Sequence, residues 1–107
     1  MTEGIIDLSA EDFAPTIASG TWLVDFWATW CGPCHALEPV LHELAGQRED
    51  CGVARVEIGA EARLAEQFGI RSVPTLIVFV GGEPVKTLFG AKTLRQLTRA
   101  LDEIAAA

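Results

Sequence analysis

Cys31 and Cys34, set two residues apart in Cys31-Gly32-Pro33-Cys34, are the side chains with the most chemistry to offer. They fall between a β-branched, aromatic run and a helical run, so the pair sits where a strand hands over to a helix. Backbone N–H groups at a helix start, together with the macrodipole, favour an anion, and the first cysteine should ionise readily there. A free thiol near pKa 8.5 is only about 3% thiolate at pH 7, whereas one near 7 is about half ionised. The Cys-x-x-Cys spacing at a helix start puts the second sulfur about one turn from the first, within disulfide reach. Pro33 suits a first helical turn, where its missing N–H has no intrahelical partner to lose. The chemistry this allows is thiol–disulfide exchange: Cys31, expected to be the more exposed sulfur, attacks, and Cys34 resolves the mixed disulfide. The competing chemistry is zinc binding, which needs two further ligands. His35, His42 and Cys51 are the nominal candidates, but none forms a second tight pair, and the redox reading is preferred, with no metal.

Asp25 is the next informative residue. It interrupts an apolar strand in phase with Leu23 and Trp27. A carboxylate placed there is costly to keep ionised, so its pKa should rise, which suits a proton acceptor for Cys34. The plainer reading is a charge reaching solvent at a strand end. Trp27 reads as packing. Cys51, after Glu49-Asp50, is expected between helix and strand, its thiolate disfavoured by the flanking acids. It reads either as a packed thiol or as a site of glutathionylation or intermolecular disulfide formation. His42 falls on the polar side of its helix and is given no role.

The elements that position these residues follow from periodicity and punctuation. Residues 5–8 suggest a short first strand. Ser9 with Asp12 marks a helix start, giving a helix over 10–19 stopped by Gly20. Trp22–Ala28 is apolar on both alternating sets apart from Asp25, as in a central strand covered on both faces. After Cys34, Leu37, Leu41 and Leu44 form one helical stripe, with Pro39 expected to interrupt and kink it. Val53–Ile58 reads as a strand, Ala60–Phe68 as a helix stopped by Gly69, and Thr75–Val80 as a buried strand. Gly81-Gly82 turns the chain into Glu83–Phe89 as a hairpin, and Thr93–Ala106 closes it as a helix. Alternating β and α units with a final hairpin imply an α/β fold: a mixed sheet of five strands flanked by four helices.

The chain has 107 residues, half of them apolar and 21% charged, which implies one globular domain over 1–107. No apolar run approaches the ~18 residues of a membrane span. Net charge is −7, and it is unevenly placed. Residues 1–47 carry seven acids and no Lys or Arg, while residues 48–107 carry eight acids and eight bases. The whole net charge therefore lies in the half that holds the cysteine pair. A nucleic-acid partner is not expected, because phosphate recognition needs a basic stripe. The segment Met1–Asp7 lacks the basic and apolar regions of a signal peptide, and three cysteines are too few for a disulfide framework. Both point to a reducing, cytoplasmic setting.

The run Trp27-Ala-Thr-Trp30-Cys31-Gly-Pro-Cys34 resembles the active-site signature of the thioredoxin family. Val24-Asp25-Phe26 before it, Pro39 after it, Val73-Pro74-Thr75 downstream and Phe89-Gly90-Ala91 near the end extend the resemblance along the chain. It implies the thioredoxin fold and a protein-disulfide reductase working through Cys31 and Cys34, with Asp25 as the proton acceptor. It also implies a cis peptide at Pro74, which the sequence alone does not distinguish from an ordinary trans-proline at a strand start. Trp30, Gly32, Pro33, Ile58, Val73, Gly90 and Ala91 match an apolar docking surface, where the Val73 backbone could pair with an extended substrate segment. The implied partners are disulfide-containing proteins and a thioredoxin reductase using NADPH and FAD, with no cofactor bound to the chain itself and a monomeric state. Two alternatives stand beside this: an exported oxidase or isomerase on the same fold, and a binding module whose cysteines are passengers. The chain departs from the family pattern at His35 and Arg55, where lysine is common, and at Gly59, where an acid is common. With no fixed cation nearby and His35 charged only at lower pH, Cys31 is expected to have a somewhat raised pKa and a pH-sensitive rate.

Overall fold

The computed structural model describes residues 4–107; Met1–Glu3, part of the segment read above for a leader, lie outside the described residues. The elements run β1 (Ile5–Asp7), α1 (Ala10–Ile17), β2 (Thr21–Trp27), α2 (Gly32–Gln47), β3 (Cys51–Glu57), α3 (Ala62–Gln67), β4 (Thr75–Val80), β5 (Glu83–Phe89) and α4 (Leu94–Ala106). The sheet order is β1-β3-β2-β4-β5, with β2 at its centre. β1, β3 and β2 are parallel, while β4 runs antiparallel to both β2 and β5. This is the expected mixed five-stranded sheet with four helices.

Two apolar layers cover the sheet. On one face Phe13 and Ile17 of α1 and Leu64 of α3 pack on Val24, Phe26, Val56 and Phe79. On the other, Leu37, Leu41 and Leu44 of α2 and Leu97 and Leu101 of α4 pack on Leu23, Val53, Leu76 and Val78. Alternate residues of β2 thus enter different cores, as the doubly apolar pattern requires. Asp25, in phase with Leu23, faces the α2 side.

Local chemistry fixes the ends of these elements. The Ser9 N–H donates to Asp12 Oδ1 at 2.7 Å, which anchors α1. α4 begins one residue later than expected, because Thr93 is its N-cap: Thr93 Oγ1 accepts from the Gln96 N–H at 3.1 Å, and Gln96 Oε1 accepts from the Thr93 N–H at 2.9 Å. The β4–β5 turn uses Gly81 and Gly82 at φ 59° and 86°, the two successive positive values that a tight right-twisted hairpin needs.

Three expectations need correction. α3 is shorter than Ala60–Phe68 because Glu57 accepts the N–H groups of Gly59 and Ala60, both at 2.9 Å, and holds those residues in a turn. α2 is not interrupted at Pro39; the carbonyl that proline leaves unpaired belongs to His35, an exposed residue open to water. Cys51 is the first residue of β3, not part of the preceding connection, and its side chain is buried in the α2–α4 core.

Candidate active site

The central strand β2 ends at Trp27, and four residues later Cys31 caps α2 with extended backbone angles. The Cys31 sulfur accepts the Cys34 backbone N–H at 3.2 Å. The helix-start amide thus meets the sulfur that the sequence argument singled out. Cys31 and Cys34 form a disulfide, with their Cα atoms 5.3 Å apart. Their exposure differs less than expected, at 4% for Cys31 and 2% for Cys34. Both sulfurs lie in a small apolar cluster with Ala28, against which Trp27, Ile58 and Val73 pack. Among the described residues no group of three His, Cys, Asp or Glu side chains is placed to hold a metal.

The residues expected to form a docking surface come from four separate parts of the chain. The Val73–Pro74 peptide is cis, and the Val73 carbonyl oxygen lies 3.7 Å from the Cys31 sulfur. The Gly90 N–H donates to the Pro74 carbonyl at 2.9 Å, which ties the segment after β5 to the proline. Gly32, Pro33 and Ala91 are exposed, and Trp30 stands out into solvent with 76% of its surface free. His35 turns its ring toward the strand–helix loop: Nε2 is 2.7 Å from the Thr29 carbonyl, and the ring meets Trp27 edge-on.

Asp25 is 1% exposed, and its Oδ1 has no hydrogen-bond partner among the described residues. Burial pushes its pKa up to about 7, Arg55 opposes that shift, and Glu38 adds to it. Arg55 stands opposite Asp25 in the β2–β3 register. Its guanidinium carbon lies 4.4 Å above the Trp27 ring, and its nitrogens pair with Asp7 at 3.1 Å and Glu38 at 3.4 Å. Sequence reasoning named Arg55 only as a departure and passed over Glu38. One signal was available: Glu38 follows Cys34 by four residues, which places it on the same side of α2. Trp27 does pack, but its Nε1 is buried without a partner among the described residues.

Residues 4–103 match the family model described as Thioredoxin. The chain belongs to the thioredoxin family. It is 41% identical over 100 residues to a thioredoxin from Staphylococcus epidermidis, covering 92% of this chain and 96% of that protein. It is 44% identical over 96 residues to a thioredoxin from Chlamydia muridarum, covering 90% and 94% respectively. A bifunctional thioredoxin reductase/thioredoxin from Mycobacterium leprae is 44% identical over 97 residues, which are 89% of this chain but only 21% of that longer protein. A solved mutant thioredoxin from Halobacterium salinarum superposes with a TM-score of 0.87 at 32% identity, over 96% of this chain and 95% of that one. Family membership and the Cys31–Cys34 pair identify a protein-disulfide oxidoreductase whose redox group is its own disulfide, with no cofactor.

Proposed function

We propose that Cys31 is the attacking sulfur, Cys34 the resolving sulfur and Asp25 the proton acceptor of a general protein-disulfide reductase. In the reduced protein the Cys31 thiolate attacks one sulfur of a substrate disulfide. An S–S bond forms to Cys31, and the second substrate sulfur leaves as a thiolate. Asp25, as the carboxylate, takes the Cys34 proton directly or through water. The Cys34 thiolate then attacks the Cys31 sulfur, releasing the substrate as a dithiol and leaving the Cys31–Cys34 bridge. Two electrons have passed to the substrate.

The observation that carries this reading is the position of the disulfide: capped by the helix-start amide on one side and facing the Val73 carbonyl beside cis-Pro74 on the other. An extended substrate segment laid along Val73 and Pro74 would present its cysteine to Cys31, with Trp30, Gly32, Pro33, Ile58, Gly90 and Ala91 supplying apolar contact and His35 at the margin. The reductase fused to the Mycobacterium leprae relative supports a thioredoxin reductase as electron donor, with NADPH and FAD carried by that partner. A cytoplasmic setting belongs to this reading and is supported by membership of the thioredoxin family. Among the described residues no helix is long and apolar enough to cross a membrane. We read residues 1–107 as one domain acting as a monomer.

Trapping tests the assignment. Cys34→Ser should accumulate covalent substrate adducts visible by mass spectrometry, and Cys31→Ser should accumulate none. Equal trapping by both variants would overturn the roles. Loss of insulin reduction in the double variant separates chemistry from scaffolding.

A further inference from the structure

Three acids from three elements surround one guanidinium. Arg55 on β3 pairs with Asp7 of β1 and Glu38 of α2, while Asp25 of β2 stands opposite it in the sheet. The two paired acids are partly or largely exposed, and Arg55 lines an open cleft with Asp7, Trp27 and Glu57. Its plane is also committed to the Trp27 ring. With these three contacts made, the buried Asp25 Oδ1 has no hydrogen-bond partner among the described residues. An arginine cannot relieve the competition by losing its proton, so how its charge is divided among the acids is a matter of geometry.

We propose that Glu38 is a positioning residue for the disulfide exchange: it engages one arm of the Arg55 guanidinium that stands opposite Asp25 and adds its own negative charge nearby, leaving the Asp25 carboxyl free to take the Cys34 proton. This rests on Asp25 as the proton acceptor. Among the described residues, the other titratable and charged groups near this acid on the elements packed against it are few. β3 contributes Arg55 and, beside Trp27, Glu57; β1 contributes Asp7; α2 contributes Cys34, Glu38 and, 3.7 Å from Glu38, His42. β4, the other neighbour of β2, carries no titratable side chain between Thr75 and Val80. Glu38 is the one acid in the set that belongs to the same helix as the cysteine it serves.

Removing the Glu38 charge has a defined sign. It takes away a negative neighbour and releases one arm of Arg55, and both changes favour the Asp25 carboxylate. The test is a carbon-13 NMR titration of the Asp25 carboxyl in the oxidised full-length chain, with the signal assigned by its loss in Asp25→Asn. In Glu38→Gln the midpoint should fall by about half a pH unit, roughly a threefold gain in ionised fraction below it. Glu38→Asp should recover part of the difference. The acid limb of the pH–rate profile for dithiol oxidation should move the same way, and the effect should vanish in an Asp25→Asn background. An unmoved or raised midpoint in folded Glu38→Gln would overturn the proposal. So would a rate profile that ignores the new midpoint, or a Glu38 effect that persists without Asp25. Because the titration reads a carboxyl rather than turnover, its failure is separate from a failure of the trapping experiment.

Discussion

A carboxyl kept in a core, with no hydrogen-bond partner at Oδ1 among the described residues, has a thermodynamic signature that can be read apart from turnover. The Asp25 pKa is raised by burial from 3.8 to about 7. The folded state therefore binds this proton more tightly than the unfolded chain does. Below the unfolded value both states hold the proton and there is no penalty; as pH rises through the folded value, stability is lost. The loss is complete above about pH 7 and is about 4 kcal/mol on the scale of 1.36 kcal/mol per unit. Asp25→Asn should accordingly unfold later than the parent in urea at pH 8, with the gap closing near pH 4, while resolution of the mixed disulfide slows. Equal gaps at both pH values would refute the linkage. At this scale the sequence showed that Asp25 was out of place, because a lone acid among apolar strand residues is visible in one dimension. It did not show the Arg55–Glu38 contact, which joins β3 to α2 and exists only once the sheet and helix have packed.

The elements were legible wherever periodicity and punctuation agreed. The Leu37–Leu41–Leu44 stripe, the doubly apolar β2 and the Gly81-Gly82 turn each state their structure locally. The ends were less legible, because they are set by side chains reaching back to the backbone: Glu57 shortens α3, and Thr93 moves the start of α4. A close approach between β2 and β3 was also hidden. Gly52 pairs with Trp22, and a Cβ on Gly52 would lie 2.5 Å from the Trp22 ring. That ring packs on the α1–α3 core, and its Nε1 donates to the Ser19 carbonyl at 3.2 Å, so it cannot swing aside freely. Gly52→Ala should lower stability by about 1–3 kcal/mol in urea unfolding and change tryptophan fluorescence. Insulin reduction at room temperature should be kept. A variant as stable as the parent would show that Trp22 relocates without cost.

Across the whole molecule, the third cysteine reports on the integrity of the fold rather than on electron transfer. Burial pushes the Cys51 thiol up to about 11, with Asp50 adding to the shift. About one such thiol in a thousand is ionised at pH 8. The flanking acids, which the sequence suggested as the cause, are secondary to the core around the sulfur. Alkylation of Cys51 in the oxidised protein should be slow under native conditions and should follow global unfolding across a urea series. Labelling that runs ahead of unfolding would mean that the α2–α4 core opens locally. The acidic half of the chain, by contrast, was legible as a sum but not as a pattern, since Asp7 and Glu38 converge on an arginine supplied by the neutral half.

The sheet order also bears on how the chain is made. Among the described residues β1 pairs only with β3, and the Asp7–Arg55 contact spans 48 residues of sequence. As a nascent polypeptide leaves the ribosome, the first strand emerges with no neighbour to join. It must wait until α1, β2 and α2 have followed and β3 has appeared. The antiparallel side of β2 waits longer still, for β4. A truncated product ending before Cys51 would carry the complete Cys-Gly-Pro-Cys segment on a strand bare along both edges, able to oxidise but not to fold.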